Sequence, residues 1–120
     1  MIREATVDDA LAIAALRTRK HEGPAVVSTW LVREIRGVIS GAVAFWAGED
    51  AFFVNELWVA SGFAGFRAAV DLCRHVEALA RRAELPIRFG VMLDNERFQK
   101  AVESAGYEPY SINYRYRQGA

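Results

Sequence analysis

An α+β (mixed α/β) fold is predicted for this chain of 120 residues, and three observations predict it. Three extended runs, "TWLVREI", "VISGAVAFWA" and "AFFVNELWV", follow one another with only "RG" and "GED" between them, the pattern of an antiparallel meander. A long amphipathic segment then carries the chain to a further apolar run, "PIRFGVML", which calls for at least one parallel crossover. Hydrophobic residues make up 52% of the sequence, enough for one core at a length too short for two, so a single domain over residues 1–120 is expected.

Residues 2 to 5 suit a short opening strand. Thr6 can cap the helix that follows, Asp8 and Asp9 favour its first turn, and Leu11, Ala14 and Ala15 recur at helical spacing before Arg17, Arg19 and Lys20 at its end. The Gly-Pro pair in "HEGPAVVS" breaks that helix, and the meander begins at Trp30. After a junction holding Gly62 and Gly65, "FRAAVDLCRHVEALARRA" places Phe66, Ala69, Val70, Cys73, Val76 and Ala80 on one stripe, with most charges elsewhere. "PIRFGVML" reads as a buried strand. Asn95 then caps a helix with Phe98, Ala101, Val102 and Ala105 inward, and Gly106 stops it. The tail "YEPYSINYRYR" returns as two short strands or one bent hairpin, because Pro109 is poorly tolerated inside a central strand. The sum is a mixed, mostly antiparallel sheet of about six to seven strands flanked by about three helices.

Composition removes several function classes. Fifteen Lys and Arg balance fifteen Asp and Glu, so the chain as a whole has no electrostatic pull toward nucleic acid or an anionic membrane. Arg and Tyr alternate in "YRYRQ", which suits an edge strand with one apolar face better than a platform for nucleotides. The single Cys73 rules out an internal disulfide, and its place among apolar helical positions suits a buried small hydrophobe. His21 and His75 have no neighbour at ligand spacing, so no metal site is expected. The start "MIREATVDDA" lacks an apolar run of signal-peptide length, and no stretch of about 18 apolar residues follows. A soluble, cytoplasmic protein is the expectation.

The stretch "NELWVASGFAGFRAAV", residues 55 to 70, feeds a strand into a helix through glycines. Such a junction leaves the first helical amides unpaired and a dipole aimed at the turn, which welcomes an anion such as a pyrophosphate. The same pattern also serves as a plain turn.

Four segments taken in order narrow that choice. "MIREATVDDALAIAALR", "VREIRGVISGAVAF", "ELWV" and "NERFQKAVESAGYEP" resemble successive elements of the GNAT N-acetyltransferases: the first strand and helix, a strand-turn-strand, the central strand before the acetyl-CoA loop, and a late helix opened by Asn and closed by Gly plus an aromatic residue. The resemblance runs through nearly the whole chain. It implies a GNAT-like fold and direct transfer of an acetyl group from acetyl-CoA to an amine, either a small molecule or a peptide or protein amine, without a metal. The family's loop pattern, Arg/Gln-x-x-Gly-x-Gly/Ala, falls here on Ala64, Gly65, Phe66, Arg67, Ala68 and Ala69. Ala69 fits the last place and Gly65 a supporting one, while Ala64 replaces the usual Arg or Gln and Arg67 replaces the key Gly. Arg67 either grips the pyrophosphate through its guanidinium or fills the cradle with its side chain. By the same resemblance the backbone of Leu57, Trp58 and Val59 pairs with the pantetheine arm like an added strand, and Asn95 reaches that arm or serves only as a helix cap.

Catalysis implies a base and an acid. Glu56 resembles the carboxylate that some family members use as general base. Strand alternation groups it with Phe52, Val54 and Trp58, an apolar face on which a lone carboxylate would resist charging; a wet sheet margin or a pairing with an Arg such as Arg33 is the structural alternative. The family's general acid is a Tyr four residues before the late Gly, a place held here by Val102. Tyr107 suits core packing, and Tyr110 and Tyr114 are alternative donors. Trp46 and Trp58 line either an acceptor pocket or the core. Only "HEGPAVVS" stands between the first helix and Trp30, where family members commonly spend two helices, so the acceptor side is expected to be open or closed by another subunit of a homo-oligomer. Arg67, Ala64 and Val102 together also fit an alternative, a catalytically inactive GNAT-fold protein serving as an interaction or structural subunit.

Overall fold

The meander that the three extended runs predict forms the middle of a five-stranded sheet in the computed structural model, which describes residues 1–17, 28–90 and 96–109. The chain divides into two compact units, Met1–Gly90 and Val91–Ala120. In the first, β1 (Ile2–Glu4), a 3-10 turn (Val7–Asp9) and α1 (Ala10–Leu16) precede β2 (Thr29–Ile35), β3 (Val38–Ala47) and β4 (Phe52–Val59), followed by α2 (Gly62–Arg82) and β5 (Ile87–Phe89). The strands lie in sequence order, β1 to β4 antiparallel and β5 parallel to β4 through the α2 crossover. This is the predicted α+β class, with five strands among the described residues. The tail strands predicted beyond residue 109 lie outside them.

Arg36 (φ 53) and Gly37 (φ 78) make the two-residue turn between β2 and β3, the paired left-handed geometry that matches strand twist. Cross-strand rows then sort the side chains by face. Leu31, Val43 and Leu57 form one row, and with Phe45, Phe52 and Val54 they meet Leu72, Val76 and Ala80 of α2. Gly41 lets α2 approach closely, since a Cβ there would stand 2.8 Å from the Ala68 Cβ.

That close approach corrects the predicted helix stripe. The buried face of α2 is Gly65, Ala68, Leu72, Val76 and Ala80, and Phe66 is 63% exposed. Val76 and Ala80 are buried as predicted; ahead of them a helix laid tightly on a sheet needs small residues at the contact, so Gly65, Ala68 and Leu72 take the places that hydrophobicity alone gave to Phe66, Ala69, Val70 and Cys73. Cys73 is half-buried, and burial pushes its thiol up to about 11, which keeps it protonated. In α1 the half-buried residues are Ala12, Ile13 and Leu16, while Leu11 is 86% exposed. No helix among the described residues is long and apolar enough to cross a membrane.

The entry to α1 is fixed electrostatically. The Arg3 guanidinium donates from Nη1 to Asp9 Oδ2 (2.8 Å) and from Nη2 to Asp9 Oδ1 (3.0 Å), and it also pairs with Glu34. The Thr6 amide donates to Asp9 Oδ2 at 2.7 Å, completing a capping box. These bonds, Arg3 first, hold the Asp9 carboxyl well below the usual carboxylate range. A carboxyl whose pKa is depressed on folding stabilises the folded state above its unfolded pKa, near about 4, and loses that contribution as pH falls. The urea midpoint is therefore expected to drop as the protein is acidified below about pH 4, and Asp9→Asn is expected to flatten that limb of the profile. An unchanged acid limb in the variant would rule Asp9 out as its source.

In the second unit, α3 spans Glu96–Ser104. Gly106 (φ 98) follows it, and the Tyr107 amide returns to the Val102 carbonyl at 3.2 Å, the glycine stop that the sequence predicts. Val102 is half-buried and Ala105 exposed.

Candidate active site

The site begins with a bulge. Ala44 lies opposite Glu56 while Phe45 lies opposite Val54, so Asn55 is an extra residue in β4. One extra residue reverses the facing of everything after it. Phe52, Val54 and Leu57 consequently share the α2 face, and Glu56 and Trp58 share the opposite one. Sequence alternation was right to pair Glu56 with Trp58 and wrong to add Phe52 and Val54, because a bulge leaves no simple mark in a run of apolar residues.

Glu56 stands in a row with Ala44 and Trp30. Ala44 is too small to separate its neighbours, and Arg17 takes advantage of the space. Arg17 caps α1 in an extended conformation (φ −69, ψ 120), which turns its side chain off the helix and over the Trp30 ring, 5.3 Å from the centroid. From there its Nε (3.1 Å) and Nη2 (2.8 Å) both reach Glu56 Oε1. Trp58 Nε1–H donates to the same oxygen at 2.8 Å. None of these three bonds uses Oε2. The Glu56 side chain is 7% exposed against 38% for Arg17. The expected lone carboxylate is thus an ion pair, and its partner is Arg17. Arg33 is engaged elsewhere, with Asp71 Oδ2 at 2.9 Å and Ser40 Oγ at 3.0 Å.

An open groove of about 550 Å³ lies beside this cluster, bounded by Glu4, Thr6, Ile13, Arg17, Ser28 and Trp30 among others. Arg17 and Trp30 border it, and Glu56, which Arg17 bonds, does not. Trp46 stacks on Phe53 (centroids 4.5 Å apart), opposite it in the β3–β4 register.

The bulge also marks where β4 and β5 part. Their pairing covers Phe52–Val54 and ends with the Gly90 amide on the Val54 carbonyl at 3.2 Å. Past the bulge, the Ala60 amide donates to the Ser40 carbonyl at 2.9 Å. Backbone groups alternate along a strand, so Leu57 and Val59 direct their N–H and C=O away from β3, toward an edge that no described strand covers.

That edge runs directly into α2. Ser61 is its N-cap and Gly62 (φ 79) its first residue, so Ala64, Gly65, Phe66, Arg67, Ala68 and Ala69 occupy the first turns of a helix and not a loop. The amides left free by helix geometry are those of Ser61 to Ala64, one turn earlier than the sequence pattern suggested. Gly65 is needed by its backbone: a Cβ there would fall on the Ala60 carbonyl oxygen and 2.6 Å from its carbon. Ala68 is buried against the Gly41 position. Arg67, 47% exposed, leans along the helix to Asp71 (3.6 Å). Phe63 and Phe66 are 76% and 63% exposed. Asn95, Tyr110, Tyr114 and most of "HEGPAVVS" lie outside the described residues. Sequence reasoning missed Arg17 and Trp30, for which the one available signal was an Arg at a helix end.

No protein-family model and no curated protein sequence matches the chain. Solved structures do match it. The aminoglycoside N-acetyltransferase AAC(6')-Iy in complex with CoA is 16% identical, with a TM-score of 0.76 over 100% of this chain and 95% of that one. The ribosomal-protein-alanine N-acetyltransferase from Brucella melitensis biovar Abortus 2308 is 16% identical, with a TM-score of 0.74 over 99% of each chain. A tetramutant of the BH1408 protein from Bacillus halodurans is 19% identical, with a TM-score of 0.78 over 98% of this chain and 99% of that one. At such identities the likeness is one of fold, and the fold is the GNAT-like α+β arrangement that the resemblance implied.

Proposed function

We propose that the protein is an acyl-CoA-dependent N-acetyltransferase that moves an acetyl group from acetyl-CoA to an amine. The observation that carries this reading is the edge of β4 at Leu57 and Val59, which no strand among the described residues covers, running without a break into the first-turn amides of α2, beside a carboxylate on the same strand. The likeness in fold to an acetyltransferase crystallised with CoA supports it.

In this reading the N–H and C=O groups of Leu57 and Val59 receive the pantetheine arm as an added strand, with Trp58 between them facing Glu56. The amides of Ser61 to Ala64 and the positive end of the α2 dipole meet the pyrophosphate. Gly65 keeps the turn tight enough to aim those amides, and Arg67 and Phe66 flank them on the exposed side. The buried Ala68 and the neighbouring Ala69 act only by letting α2 sit close to the sheet. Bound acetyl-CoA supplies the thioester. Glu56 accepts the amine proton on Oε2, the carbon–nitrogen bond forms, the carbon–sulfur bond breaks, and water returns a proton to sulfur.

Binding only to the folded state must stabilise it, by about 2.7 kcal/mol at a hundredfold excess over Kd. Acetyl-CoA is therefore expected to raise Tm by several degrees and to shift the backbone amide resonances of Leu57, Val59 and Ser61 to Ala64. A titration that moves neither overturns the reading. Arg67→Ala is expected to weaken binding; tighter binding in the variant would mean that Arg67 obstructs the pyrophosphate instead of holding it.

A further inference from the structure

The Arg17 guanidinium sits in a seat made for a cation. It lies over the face of Trp30 at 5.3 Å and bonds at 2.8 Å to a carboxylate that Trp58 also holds. An aromatic face with a carboxylate beside it is how proteins bind organic cations generally. The occupant, however, belongs to the chain. It hangs from the extended C-cap of α1 on a flexible stem, it is 38% exposed, and it borders the open groove. Glu56 is 7% exposed and does not border that groove. A cation that binds over the Trp30 face and bonds Glu56 Oε1 has to take the place of Arg17.

We propose that Arg17 is a displaceable cation holding the place of the acceptor's ammonium group on Glu56 and Trp30, so that the acceptor is a cationic primary amine that enters by the groove and exchanges with it. The proposal rests on the acetyltransferase reading for its meaning, but the seat exists without acetyl-CoA. Charge decides the class of acceptor. A neutral molecule that pushed Arg17 aside would leave a nearly buried carboxylate unpaired, a heavy penalty, whereas an ammonium ion restores the pair. Once seated, the ammonium group can pass a proton to Oε2, which takes part in none of the bonds from Arg17 and Trp58.

The Trp58 indole N–H, bonded to Glu56, reports the exchange directly in a nitrogen–proton NMR spectrum. Titration with n-butylammonium chloride, without acetyl-CoA, is expected to shift the Trp58 and Trp30 indole signals, and n-butanol at equal concentration is not. Arg17→Ala removes the competitor, and if the seat is filled about nine-tenths of the time its apparent Kd for butylammonium falls about tenfold. Adding Glu56→Gln to that variant is expected to abolish the preference for the cation. Arg17→Met keeps the stem over Trp30 and serves the same comparison if the alanine variant does not fold. Binding no tighter in the Arg17 variants, or equal response to butanol, overturns the proposal. Because acetyl-CoA is absent from the titration, that failure is distinct from failure of the acetyltransferase reading, which shows as loss of CoA binding while the cation seat responds.

Discussion

Glu56→Gln is expected to lower kcat/KM for acetyl transfer by about 10²- to 10⁴-fold, the usual contribution of a positioned general base, while acetyl-CoA binding stays unchanged. The separation follows from where the groups lie. In the proposed reading Leu57 and Val59 offer backbone to the cosubstrate on the strand edge, whereas Glu56 projects from the sheet face toward Arg17 and Trp58. Glutamine keeps the volume and one carbonyl oxygen for the Trp58 indole but cannot take a proton at neutral pH. A pH series distinguishes base from scaffold. As pH rises toward the acceptor's own pKa, near about 10 for an alkylamine, the amine arrives already neutral and has less need of a base. The deficit of the variant is then expected to shrink. A deficit that stays constant across that range would make Glu56 a positioning or binding group and remove it as the base.

How much of this was legible in the sequence depended on the kind of signal. Elements set by local chemistry came through: the meander with its Arg36–Gly37 turn, the α2 crossover, and the glycine stop at Gly106 all follow from turn residues and periodicity. What did not come through depended on register. Asn55 is an extra residue only because of what β3 places opposite it, and without that knowledge Glu56 was assigned the face of Phe52 and Val54. The same holds for α2, where Phe66 was the more hydrophobic choice but Gly65 and Ala68 were the ones small enough for the sheet. Arg17 is 39 residues from Glu56 in the chain, and an ion pair at that separation has no local pattern. The glycine at 65 shows both sides of this. Its presence at a strand-to-helix junction was visible, whereas its reason, the Ala60 carbonyl, is a contact that only the folded backbone creates.

That contact makes Gly65→Ala the substitution expected to cost most stability. In an ordinary helix interior the change is favourable by roughly 0.5–1 kcal/mol, because alanine loses less backbone entropy on folding. Here the sign is expected to reverse. The new Cβ would fall on the Ala60 carbonyl oxygen and lie 2.6 Å from its carbon and 3.3 Å from its nitrogen, all backbone atoms that cannot rotate away. Relief requires the end of β4 or the first turn of α2 to move, and α2 is held by Leu72 and Val76, both fully buried. A loss of about 3 kcal/mol or more is the scale for overpacking of this kind. Two other glycines calibrate it. Gly41→Ala meets the Ala68 Cβ at 2.8 Å, the Leu72 Cδ1 at 3.0 Å and the Val59 Cγ1 at 3.3 Å, and is expected to cost less because the new Cβ crowds these atoms without falling on any of them, although the Ala68 Cβ can give way only if α2 shifts. Gly62→Ala meets nothing within 4 Å and has only its φ of 79 to overcome, about 1–2 kcal/mol. Urea unfolding of the three variants is expected to rank them in that order, and a Gly65→Ala protein as stable as the wild type would dismiss the carbonyl contact. The consequence reaches the proposed cosubstrate site as well. The Ala60 turn sets where the β4 edge stops and where the free amides of α2 start, so a Gly65→Ala protein that still folds is expected to lose acetyl-CoA affinity as well as stability.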